Sequence, residues 1–234
     1  MSGDRLDLRV LNGTLVDGES QRQVDLGVKD GVVVLIGLPG TLPAAREEVD
    51  AHGLLILPGL VDSHVHIRAP ERPDREDFAS GTAAAAAGGV TTIFEMPVTT
   101  PCCASPEVLR DRMALAARTA RVDVAFYAAL GDLARPRLRE MADLGAVAFK
   151  IFLHAAPPGR HEAFDGLAFP DPADAFRALQ LVQETGPCAP STPRIRLSSI
   201  SSNARSAPPA APTRKRTPFP DQTSSRPAPS SGWA

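Results

Sequence analysis

Cysteine is scarce in this chain. Cys102, Cys103 and Cys188 are the only three in 234 residues, and none shows the spacing of a zinc knuckle. So sparse and odd a set excludes a disulfide-stapled scaffold and fits a reducing cytoplasm. Long apolar runs are missing too. No stretch of 18 apolar residues occurs, and the opening Met-Ser-Gly-Asp-Arg carries no apolar signal core. The expectation is a soluble, cytoplasmic protein with no membrane partner. Nor is one sign of charge in excess: the formal net charge is −2, which gives no reason to expect a nucleic-acid partner. Apolar residues at 43% and charged residues at 22% are ordinary for a globular protein, and the length suits one large or two small domains.

The averages conceal a change of composition near the end. Residues 187–234 hold 10 Pro and 10 Ser in 48 positions, with seven Lys/Arg against one acid, Asp221. Residues 1–186 hold 18 basic and 26 acidic side chains. The final stretch shows neither helical nor strand periodicity and has too little apolar surface to offset its ordering entropy, so it is expected to be disordered. Its charges are scattered, which argues against an RNA- or membrane-binding arm.

Residues 1–57 read as a small β module. Leu6–Leu11, Gly13–Val16 and Asp25–Lys29 alternate apolar and polar residues with a period of two, and Asn12-Gly13 and Asp30-Gly31 are hairpin-turn dipeptides between such runs. Val32–Leu38 and Leu54–Leu57 are further strand candidates. From residue 58 strands and helices alternate. Strand-like runs lie at Leu60–Ile67, Thr91–Met96, Val122–Leu130 and Ala146–Leu153. Helix-like stretches lie at Glu76–Ala87, Pro106–Ala120 (Ser105 as N-cap), Asp132–Leu144 and Pro172–Thr185. The strand spacing, about 25–30 residues, is that of a βαβ repeat, so the fold class is α/β with a parallel sheet. A doubly wound sheet and a (β/α)8 barrel both satisfy the pattern, and both place a functional site at the C-terminal strand ends.

His64, His66 and Lys150 fall at those ends. Residues i and i+2 of a strand project to the same side, so the His64-Val-His66 pair can converge on one point. Lys150 stands inside the apolar run Ala146-Val-Ala-Phe-Lys-Ile-Phe-Leu. A charged ammonium there is costly unless paired or neutralised. Either it meets a carboxylate or reaches the sheet rim, or the neutral amine is carboxylated by CO2 to a carbamate whose two oxygens can bridge two cations.

Three runs, LPGLVDSHVHIRAP, DFASGTAAAAAGGVTTIFEMP and GAVAFKIF, resemble the amidohydrolase superfamily, and more narrowly its cyclic-amidase branch of dihydroorotases, allantoinases and hydantoinases. The resemblance covers roughly residues 5–189 and implies a TIM-type barrel joined to a β-sandwich built from both chain ends. It implies that His64 and His66 bind a divalent metal, usually zinc, and that carboxylated Lys150 bridges it to a second. The activity implied is hydrolysis of a C–N bond in a small cyclic amide by a homo-oligomeric enzyme. Arg68 matches the arginine that holds the substrate carboxylate in dihydroorotases; the alternative for it is a rim ion pair with Glu71 or Asp74. Met96-Pro97 is followed by Val98-Thr99-Thr100 rather than the asparagine of dihydroorotases, and allantoinases carry asparagine where Arg68 stands. The segments after Lys150 lean toward allantoinases, so the ring acted on stays open. His154 and His161 read as gating or surface residues.

The same resemblance calls for two later histidines and an aspartate that carries a proton to the leaving nitrogen. After Gly186 the sequence has no histidine, and its only acid there is Asp221. No catalytic residue of that kind is retained. Residues 190–197, Pro-Ser-Thr-Pro-Arg-Ile-Arg-Leu, can be written CCG TCC ACG CCG AGA ATC CGG CTN. With a preceding G, the shifted frame reads Ala-Val-His-Ala-Glu-Asn-Pro-Ala, similar to the family's fifth-strand histidine motif. The expectation is therefore three parts: a β module over 1–57, the first half of a barrel with about four βα units over 58–189, and an out-of-frame, disordered tail over 190–234. On this reading the chain is a fragment whose own activity is lost. The rivals are a non-catalytic half-barrel acting as an interaction or assembly module, and an ordinary α/β domain with a regulatory basic tail.

Overall fold

The structure, a computed structural model, describes residues 5–134 and 136–185; the expectations for Cys188 and for residues 190–234 lie outside them. Among the described residues nine strands form two sheets. The first joins β1 (Leu6–Val16), β2 (Gln21–Lys29), β3 (Val32–Gly37) and β4 (Ala45–Asp50) in the order β3-β2-β1-β4, with β5 (Leu55–Ile56) also on β1. Pairing is antiparallel along the β1-β2-β3 meander and parallel between β1 and both β4 and β5. Asp30-Gly31 makes the β2–β3 turn with both φ angles positive, 51° and 75°, the geometry of a tight hairpin.

Asn12-Gly13 is not a turn. The two predicted runs on either side of it form one strand, β1, whose register against β2 shifts between Val10 and Gly13. Asn12 adopts φ 60°, and its N–H donates to buried Asp25 at 2.8 Å; the other oxygen of Asp25 accepts Gly40 N–H at 2.7 Å. A dipeptide suited to positive φ serves a bulge as readily as a hairpin, and the Asp25 carboxylate satisfies the amide freed from the ladder. Strand β4, Ala-Arg-Glu-Glu-Val-Asp, was not anticipated. Five of its six residues are exposed, so an edge strand with mostly charged side chains shows no alternation to read.

The second sheet is parallel, in the order β6 (Leu60–Val65), β7 (Val90–Glu95), β8 (Asp123–Ala128), β9 (Ala146–Phe149). Spatial order equals chain order with no reversal, which is the connectivity of a barrel and not of a doubly wound sheet. The helices are α1 (Phe78–Ala87), α2 (Pro106–Thr119), α3 (Leu138–Leu144) and α4 (Pro172–Glu184). Asp77 and Ser80 form a capping box at α1, and Ser105 and Asp171 cap α2 and α4 with their side chains. Helix α3 starts six residues later than expected from Asp132, because Pro136 disfavours helical backbone in the residue before it. Gly145 closes it in the left-handed region, φ 110°.

Helices α1–α3 pack on the sheet through one apolar cluster that includes Ile67, Phe78, Ile93, Leu109, Phe126, Leu130 and Met141. Each large side chain removed from water contributes about 1.5–3 kcal/mol. Other apolar side chains stay in solvent among the described residues: Leu60 is 59% and Val61 60% exposed at the start of β6, and Val32–Ile36 line β3 openly.

The loop after β9 returns over the end of β8. Leu130 and Gly131 both donate their N–H to Gly166 O at 3.0 Å. Gly166 has φ 65°, and a Cβ there would stand 2.4 Å from Gly131 Cα. Gly166→Ala is expected to cost about 1–3 kcal/mol in urea unfolding through strain at this crossing. An unchanged midpoint would show that the loop yields freely.

Candidate functional site

The C-terminal ends of β6–β9 gather the residues the sequence singled out. Strand β6 places His64 within its last residues and His66 just beyond, and the two rings lie 5.3 Å apart between centroids. The same-side projection expected of i and i+2 is realised. His64 is exposed and His66 half-buried. Nδ1 of His66 is buried and has no hydrogen-bond partner among the described residues. The His66 imidazole is pushed down to about 4, first by burial and then by Arg68, His64, Lys150 and Arg160. It is a neutral imidazole with a lone donor atom, the form a metal ion takes up.

Lys150 follows β9, its N–H donating to Ala128 O of β8 at 2.9 Å. Its Nζ sits 5.0 Å from the centre of the Phe152 ring. No carboxylate pairs with it among the described residues, so the carboxylate alternative for this lysine is not realised there. Arg68 is half-buried and pairs with neither Glu71 nor Asp74. Glu71 lies 3.6 Å from Arg160 and Asp74 2.8 Å from Arg72. Arg68 instead lines a cavity of about 340 Å³ together with Arg72, Arg75, Arg160, Glu71 and Thr100. His154 is exposed, stacks on Phe152 at 5.0 Å and bonds Ala155 O through Nδ1 at 2.8 Å. His161 is exposed.

Two residues of this region were not foreseen. Glu95 ends β7 and Arg112 projects from α2; their side chains are 2% and 3% exposed and ion-paired. Oε2 of Glu95 accepts Ile67 N–H at 2.8 Å, and Arg112 also donates to Ala69 O. A signal was available: Glu95 is the lone charge in Val-Thr-Thr-Ile-Phe-Glu-Met-Pro, and Arg112 shares a helical stripe with Leu109 and Ala116. A carboxylate and a guanidinium on two apolar faces are each a demand for a partner.

As an array of donors, the site fits a divalent cation in part. Two imidazoles converge and one aimed nitrogen is unpartnered. No group of three or more His, Cys, Asp or Glu able to hold a metal occurs among the described residues, so a third protein ligand has to be Lys150 or come from elsewhere.

Comparison with known proteins accords with this geometry. A family profile described as dihydro-orotase-like matches residues 53–150. An allantoinase of Rubrobacter xylanophilus is 42% identical over 162 residues, 69% of this chain and 35% of that protein. One of Desulfitobacterium hafniense is 36% identical over 149 residues, 62% of this chain and 32% of its own length. Among solved structures, an L-hydantoinase (dihydropyrimidinase) from Arthrobacter aurescens superposes with a TM-score of 0.67 at 32% identity, covering 77% of this chain and 39% of the other. The chain thus spans about a third of the length of the curated relatives it matches. The sequential parallel strands, with an imidazole pair at their C-terminal ends, resemble part of a hydantoinase barrel. Over the matched residues the chain is similar to the cyclic-amidase branch of the amidohydrolases, the dihydroorotases, allantoinases and hydantoinases.

Proposed function

We propose that this chain supplies the first metal-holding strands of an enzyme that hydrolyses the C–N bond of a small cyclic amide. His64, His66 and carboxylated Lys150 would hold a divalent cation, and zinc suits imidazole donors best among the common ions. The carrying observation is the His64–His66 ring pair, 5.3 Å apart, together with the buried Nδ1 of His66, unpartnered among the described residues. When bound, such an ion lowers the pKa of water and polarises an amide carbonyl.

Charge around His66 supports the carbamate. Arg68, Lys150 and Arg160 all act on that ring as positive neighbours, a field that opposes a further cation. Loss of a proton from the Lys150 ammonium gives the neutral amine, and addition of CO2 then forms an N–C bond and releases a second proton, so that a positive group becomes a negative carbamate. His66 needs no deprotonation to ligate near neutral pH. Arg68, free of Glu71 and Asp74, can offer its planar fork to a substrate carboxylate or carbonyl at the cavity wall. The Arg160–Glu71 pair stands opposite, its guanidinium 5.7 Å from the centre of the Phe164 ring.

The chain as written lacks the later histidines and the proton-carrying aspartate that the resemblance calls for. The test is turnover of allantoin, dihydroorotate and hydantoin by zinc-loaded protein in two forms: this chain, and a product whose gene carries one inserted base at codon 189. The first is expected to be inactive and the second to hydrolyse one of the three rings. Turnover by the first would overturn the need for the later strands. Inactivity of both, with no zinc retained by either, would overturn the hydrolase reading in favour of a non-catalytic half-barrel.

A further inference from the structure

We propose that the buried Glu95–Arg112 pair is a positioning unit that fixes the loop after β6, and through it His66 and Arg68, at the mouth of the strands. The inference rests on the metal-site reading above but has its own readout.

The loop is gripped at alternate residues. Ile67 donates its N–H to Glu95 Oε2 at 2.8 Å. Ala69 offers its carbonyl to Nη1 of Arg112, while Nη2 of the same guanidinium meets Glu95 Oε1. Ile67 and Ala69 are 1% and 4% exposed; His66 and Arg68, between and beside them, are half-buried toward the mouth. Burial alternates along residues 66–69, so holding the backbone of the inward pair restricts the outward pair bonded to it. The ladder runs straight into the grip, since Met96 N–H donates to Val65 O at 2.8 Å. Arg112 is itself seated over the Phe78 ring, 5.5 Å from its centre, so α2, β7 and the β6 loop are tied through one side chain.

Stability alone does not explain such a pair. A buried ion pair is often no better than two apolar side chains of similar volume. What an apolar pair cannot do is bond one amide and one carbonyl of a neighbouring loop in a fixed relation. A planar guanidinium carries its donors on separate nitrogens in a fixed fork, here Nη1 for Ala69 O and Nη2 for Glu95; an ammonium keeps the charge, with its three donors on one nitrogen and no fork.

The test compares the full chain with Glu95→Leu/Arg112→Met and with Arg112→Lys, using amide hydrogen exchange and cobalt(II) titration followed by d–d absorption. The double variant, its thermal midpoint kept near that of the parent, is expected to exchange the Ile67 and Arg72 amides at least ~10-fold faster while Ile93 and Phe126 stay protected. Its cobalt(II) dissociation constant is expected to weaken about 10- to 100-fold, as when an outer partner of a metal ligand is lost. Arg112→Lys, which guards against a double variant that does not fold, is expected to loosen the same loop. Unchanged exchange in Arg112→Lys or in a folded double variant would overturn the proposal. Faster exchange with cobalt(II) affinity unchanged would overturn the link to His66. If the parent takes up no cobalt(II), the metal-site reading falls, and exchange alone then decides whether the loop is held by this pair.

Discussion

Arg112→Met is expected to destabilise the protein by about 3–5 kcal/mol in urea unfolding above pH 8, where Glu95 is ionised, the usual cost of removing one partner of a buried ion pair. The carboxyl left behind is already hard to ionise. Burial pushes Glu95 up to about 8, against the pull of Arg112 and of the Ile67 N–H; Glu76 adds to the rise and Arg68 opposes it. Because the folded value lies above the ordinary one, the native protein binds this proton more tightly than the unfolded chain. The stability it confers is complete below the ordinary carboxylate value of 4.5 and is lost as pH rises toward about 8. Without the guanidinium the folded value climbs further, so the variant goes on losing stability above pH 8, by up to about 1.4 kcal/mol per pH unit, where the parent has levelled off. The gap between variant and parent should therefore widen with pH. A gap that narrows would mean that the carboxylate of Glu95 is not what Arg112 offsets.

That pair also shows where the sequence was mute. The βα alternation was readable because buried parallel strands are apolar on both faces and helices carry caps: β6–β9 and the Ser105 cap of α2 stand where the pattern placed them. The barrel connectivity was not, since strand order is a tertiary fact, and chain spacing is the same in a doubly wound sheet. Asn12-Gly13 misled because the backbone angle it favours is shared by hairpins and bulges, and only Asp25, thirteen residues away in sequence, decides between them. That His64 and His66 share one side was legible from strand periodicity, while their reading as metal ligands came from the motif resemblance. The environment of Lys150 was not legible: its aromatic neighbour Phe152 is two residues on, but the want of an acidic partner among the described residues is a tertiary fact. Glu71 and Asp74 turn to Arg160 and Arg72, which leaves Arg68 without the rim ion pair that was its alternative.

Replacing either imidazole should be felt in the metal and not in the fold. His66→Ala and His64→Ala are each expected to weaken zinc binding at least ~100-fold in chelator competition, more than the loss of an outer partner alone. His64 is exposed and His66 half-buried, and among the described residues neither imidazole carries an ion pair. Unfolding midpoints without metal should thus stay close to the parent. His154→Ala is the matched control. That ring is bonded to Ala155 O and stacked on Phe152, and its removal should leave zinc affinity unchanged. Lys150→Gln separates the two roles of the amine. If Lys150 ligates as a carbamate, added bicarbonate strengthens zinc binding in the parent and has no effect in Lys150→Gln, because the amide cannot take up CO2. If the lysine acts only as a cation on the Phe152 face, removing its charge relieves the repulsion on His66, and zinc binds more tightly in the variant. Opposite signs from one substitution make this the sharpest measurement on the site: tighter binding in Lys150→Gln would remove the third ligand and leave two imidazoles that hold zinc only weakly.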